Sequence, residues 1–101
     1  MDRTAADADL ETRTFLVERY WPGIDEPGAR RVAASLDGAA RALTAEGTSV
    51  EHLGSILMPA DQVVFSLIRA ADETGARQLN ERADAPLDRI ALAIRLTKGE
   101  S

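Results

Sequence analysis

Two runs of strand length, 49–57 and 62–69, are separated only by Met58-Pro59-Ala60-Asp61. A link this short cannot carry a crossover, so the two runs pair as an antiparallel hairpin. On both sides of the hairpin the apolar period lengthens to about 3.6, the helical value. Upstream, Val32, Leu36, Ala39, Ala40 and Leu43 make one helical stripe. Asp25 is placed to cap it, Glu26 and Pro27 suit its first turn, and Gly47 suits its end. Downstream, Ala76, Leu79 and Ala83 mark a second helix, starting near 71 or 72 and ending near 82, before the breaker at Pro86. Outside the helices the strand period returns, at 12–20 and 88–96. The order strand, helix, strand, strand, helix, strand predicts two right-handed crossovers around one hairpin. That is an α+β chain of the ferredoxin-like split βαβ plan (βαββαβ), with a four-stranded antiparallel sheet and two helices on one face.

Such a sheet leaves its second face open. In the first strand Phe15, Val17 and Arg19 share one side, and Leu16, Glu18 and Tyr20 the other. With Phe15 and Val17 against the helices, Leu16, Glu18 and Tyr20 face outward. The bulk of Phe65 assigns its side of the later hairpin strand to the core, which sends Val64, Ser66 and Ile68 to the open face. Ala91 and Ala93, beside Arg89 and Arg95, are expected there too. In the run 49–57, periodicity leaves open whether His52 or Leu53 faces inward, and Gly54 marks a bulge or a close approach.

One domain, 12–96, is expected, with 1–11 as a flexible N-terminal arm and 97–101 as a frayed tail. The net charge of -5 disfavours nucleic acid and anionic lipid, and no basic run offsets it. An RNA-reading sheet would also need aromatics on the open face, where only Tyr20 is expected. The sequence has no cysteine, no signal-like apolar core at its start and no run long enough to span a membrane. A soluble cytoplasmic protein is the expectation.

The segment FLVERYWPG, 15–23, Val50, Leu53 and Ser55 in the hairpin, and the late stretch APLDRI, 85–90, together resemble a family of small actinobacterial and other bacterial proteins. That family is described as nickel-binding or uncharacterised, and it has a ferredoxin-like fold. The likeness covers most of the chain, from Arg13 to Leu96. The late segment departs from the usual order, since alanine stands just before the proline–leucine pair. The resemblance implies a homodimer with a capacity for nickel(II).

For a metal, the residues offer one imidazole, His52, and no cysteine. Nickel favours imidazole with carboxylate support. Glu18 is the better companion if its strand neighbours that of His52, because Glu51, next in sequence, points away. Otherwise His52 is a strand residue with one ordinary hydrogen bond. Tyr20 completes the candidate ligand set, and Arg19 is its charge partner. Trp21, the chain's only tryptophan, is read as a turn anchor in the core or as an interface anchor. No nucleophile elbow, phosphate loop or cofactor fingerprint is present, so a binding protein is favoured over an enzyme. The function expected is that of a small dimeric ligand- or metal-binding protein. The alternatives are a small-molecule enzyme with a cleft at the sheet face or dimer seam, and a protein-interaction module.

Overall fold

Both helices begin at an aspartate that satisfies a free backbone donor. In the computed structural model, which describes residues 12–96, the Asp25 carboxylate accepts from the Gly28 amide at 2.8 Å, and that of Asp72 from the Gly75 amide at 2.9 Å. The elements are β1 (Arg13–Tyr20), α1 (Glu26–Ala45), β2 (Val50–Met58), β3 (Val63–Ala70), α2 (Glu73–Arg82) and β4 (Arg89–Ala93). The order in the sheet is β2-β3-β1-β4, with every neighbouring pair antiparallel. Both helices cover one face, as the ferredoxin-like plan requires. The arm and tail expectations fall outside the described residues.

The last strand is shorter than its alternation suggests. It ends at Ala93, opposite Thr14, one residue short of the start of β1. Ile94, Arg95 and Leu96 lie outside the ladder and are exposed.

The core lies between sheet and helices. Phe15, Val17 and Ile68 meet Val32, Leu36 and Leu43 of α1 and Ala76 and Leu79 of α2. Here the sheet corrects the face assignment for β3. Its register sets Val17 opposite Ser66 and Phe15 opposite Ile68. Directly opposed residues share a face, so Val64, Ser66 and Ile68 point inward and Phe65 outward. The physical reason is size. Ser66 and Ala70 are fully buried, beneath helices whose buried faces carry Ala29, Ala39, Ala40 and Ala76, and a phenylalanine row would hold those helices off.

The ends of the two helices are tied by a two-pronged pair. Arg82 donates to the Glu46 carboxylate at 3.0 and 2.6 Å. This hydrogen bond, with the charge of Arg82, lowers the Glu46 pKa. A lowered carboxylate pKa contributes stability that is present above its unfolded value and lost as pH falls through the folded one. Glu46→Gln should therefore lower the melting temperature slightly at neutral pH and low salt. The difference from the parent should vanish once the pH drops below the ordinary carboxylate range, and shrink in high salt because the pair is exposed. A difference that persists at acidic pH would show that the pair contributes through packing instead.

Candidate functional site

β2 is an edge strand, and its alternation is broken once. Its register against β3 shifts between His52 and Gly54, where Gly54 has φ +151. One extra residue in the strand reverses the side on which all later residues point. His52 and Ser55, three apart, would otherwise lie on opposite faces. The bulge puts both on the inner face, with His52 opposite Ile68 and Ser55 opposite Ser66.

There they join a continuous line of polar side chains under the helices. The His52 side chain is only 4% exposed. Its Nδ1 lies 2.6 Å from Oδ1 of Asp37 on α1, and its Nε2 lies 2.8 Å from Ser55 Oγ. Ser55 Oγ is 2.7 Å from Ser66 Oγ, which accepts from Arg19 Nη1 at 3.0 Å. Arg19, 2% exposed, also donates from Nε to the Pro86 carbonyl at 3.1 Å and from Nη2 to Asn80 Oδ1. Asn80 is held in turn by its own bond to the Ala76 carbonyl. Every buried side-chain polar atom among the described residues has a partner.

The ends of this relay fix its direction. A guanidinium only donates and a carboxylate only accepts. His52 Nδ1, facing Asp37, therefore carries a proton. With His52 neutral, Nε2 is an acceptor, Ser55 donates to it, and Ser66 can donate to Ser55 while accepting from Arg19. Burial lowers the Arg19 pKa, and the nearby Asp88 carboxylate partly offsets this. Asp88 itself accepts from the Tyr20 amide at 2.6 Å.

The residues named from the sequence are thus divided between the two sides of the sheet. Arg19 and His52 lie inside, and Glu18 and Tyr20 outside. Two expectations are corrected. Glu18 and His52 do not meet within one chain, because β3 sits between β1 and β2. Arg19 does not serve Glu18, because consecutive strand residues point apart; Arg89, across from Glu18 on β4, approaches it at 3.6 Å. Trp21 is 39% exposed and is not a core residue. Its backbone anchors the turn, donating to the Gln62 carbonyl at 2.8 Å. Asp37, Ser55, Ser66 and Asn80 were not expected as site residues. The one signal for Ser55 was Gly54, since a bulge there decides its face.

The open face carries Leu16, Phe65 and Leu67 at its centre, with the more exposed Tyr20, Ile56 and Met58 around them. Glu18 and Arg89 flank it on the β4 side.

No family model, curated protein or solved structure gives a significant match to this chain. The nickel reading finds no ready ligand set either. Among the described residues no three histidine, cysteine, aspartate or glutamate side chains converge, and both nitrogens of His52 are engaged. No helix among them is long and apolar enough to cross a membrane.

Two stability outcomes follow. A side chain at a φ such as that of Gly54 costs about 1–3 kcal/mol, so Gly54→Ala should destabilise by that amount in urea unfolding, although a Cβ there meets no atom. An unchanged midpoint would mean the bulge tolerates other backbone angles. Arg19→Met keeps the bulk but leaves Asn80, Ser66 and Pro86 without their donor. Stranded buried groups cost about 1–3 kcal/mol each, so a loss of at least about 2 kcal/mol is expected. Equal stability would show that water replaces the guanidinium.

Proposed function

We propose that this chain acts as a homodimeric small-ligand-binding domain, its two copies joined across their open sheet faces. The supporting observation is the exposure of Tyr20 (59%), Ile56 (58%) and Met58 (41%) on the uncovered side of the sheet. Large apolar side chains grouped around Leu16, Phe65 and Leu67 are what an interface buries, and an uncovered sheet of this composition favours a second layer. A symmetric pairing presents the same patch twice, so each copy covers the other. Glu18, Arg89 and Tyr20 then rim the seam and supply its polar contacts. The ligand in this reading is small and polar. Nickel(II), which the family resemblance implies, is the first to try, with Glu18 from each copy as the carboxylate support.

Light scattering on tag-free protein tests the dimer. The expected mass is twice that of the 10.9 kDa chain. Phe65→Glu should return it to a single chain without changing the circular dichroism. A parent protein of single-chain mass at its highest soluble concentration would overturn the dimer. Calorimetric titration with nickel and zinc on the same samples tests the metal. Binding abolished by Glu18→Ala supports a site in the seam, and binding indifferent to that change removes it.

The inner relay favours a second reading, a small-molecule enzyme.

A further inference from the structure

Asp37, His52 and Ser55 stand in the hydrogen-bond order of an acid–base–nucleophile triad. Asp37 Oδ1 faces His52 Nδ1 at 2.6 Å, and His52 Nε2 faces Ser55 Oγ at 2.8 Å. Triads of this kind recur on unrelated folds and are recognised by geometry and role. Ser55 is also placed to be reached. It lines a cleft of about 410 Å³ between α1 and β2, with Ala29, Ala33 and Leu57 as apolar wall and the Arg30–Glu26 ion pair at its side. Asp37 and His52 open on a separate groove on the same α1–β2 seam. The nucleophile therefore faces one pocket while its base is held from the other side.

We propose that Ser55 is a nucleophile for small acyl esters, activated by His52, with Asp37 as the positioning residue. The site is independent of the dimer reading, since it lies on the opposite side of the sheet. The ester enters the α1–β2 cleft with its acyl group against Ala29, Ala33 and Leu57. Ser55 Oγ forms a bond to the carbonyl carbon while its proton passes to His52 Nε2. Collapse of the tetrahedral species breaks the bond to the leaving oxygen, which takes that proton from His52. Water then attacks the acyl-serine, gives its proton to His52, and releases the carboxylic acid as the proton returns to Ser55.

The neighbours of Ser55 suit this step. While His52 is neutral, Ser66 donates to Ser55 Oγ and is itself held by Arg19, so the oxygen that loses a proton already has a donor on it. Once Nε2 is protonated, it becomes the donor to Ser55, and Asp37 still accepts from Nδ1. Both protonation states of His52 leave the relay fully bonded, so the proton moves without reorganising the core. The bulge is what permits this, because only the extra residue puts base and nucleophile on one face.

The test uses the whole folded chain and diisopropyl fluorophosphate. In this probe the serine oxygen bonds to phosphorus and fluoride leaves. Intact-mass and peptide mass spectrometry should find one adduct, on Ser55, that does not form in urea. Asp37→Asn leaves a surface carboxamide in place and should fold normally. It should slow labelling by up to about 10²–10⁴-fold, the contribution of the base that Asp37 holds in place, with recovery in Asp37→Glu. Hydrolysis of p-nitrophenyl acetate should fall in parallel and disappear in Ser55→Ala. If Ser55→Ala fails to fold, the adduct map on the parent protein still decides. No adduct on the folded chain, an adduct spread over other hydroxyls, or equal labelling rates in the parent and Asp37→Asn would each overturn the proposal.

Discussion

The guanidinium of Arg19 is the constraint around which the rest of this small structure is arranged. A buried cation demands acceptors, and among the described residues no carboxylate hydrogen-bonds to this one. The fold answers with three neutral oxygens from three places: Ser66 on β3, Asn80 on α2 and the carbonyl of Pro86 ahead of β4. Each also fixes something else. Ser66 continues into the relay, Asn80 binds the turn behind it, and Pro86 sets the path into the edge strand. Asp88, two residues on, holds the Tyr20 amide and supplies the compensating charge. One side chain thus couples the end of β1 to the second helix and to both of its neighbouring strands. Such a set of bonds is directional where apolar packing is not. An alanine-rich core, with little shape to dictate a unique fit, gains register from it.

The same need for partners explains the polar residues on the far side of the core. A serine or histidine beneath a helix layer is tolerated when each atom is matched. Asp37, at the surface end of the chain of bonds, is 51% exposed by its side chain. The line therefore runs from a buried cation to a carboxylate touching water. Its middle, Ser55, sits at the edge strand, where backbone departs most freely from regular pairing. The bulge at Gly54 occurs there and not on β1 or β3, which are paired on both sides.

The architecture was legible because it is written in periods. The hairpin, both capped helices and the first strand stand close to where alternation, capping aspartates and glycine punctuation place them. The faces were less legible. Phe65 is large and apolar, and alone it reads as core. Its outward position follows from a register that no local pattern contains, and from helices rich in alanine that need small residues beneath them. The candidate site was the least legible part. His52 and Arg19 were identified as chemically useful, but their partners Asp37, Ser66 and Asn80 lie 15, 47 and 61 residues away. Short polar residues carry no signal of their own until the fold gathers them. Ser55 depended on whether Gly54 was a bulge, and periodicity could not decide that.

The two sides of the sheet therefore place different demands on the same strands. β1 carries Arg19 inward and Glu18 and Tyr20 outward, so a change at one position strains one side and leaves the other intact. A sheet only one layer thick cannot merge the two sets of side chains into a single site. Any activity that uses His52 must reach it from the α1–β2 seam, and any contact that uses Glu18 must come from the open face. A second copy packed on the open face leaves that seam free, because the seam lies on the helix side and at the outer edge of β2. Assembly and chemistry are then separable by mutation. Phe65→Glu should change the mass of the particle and spare Ser55, while Asp37→Asn should slow Ser55 and spare the mass.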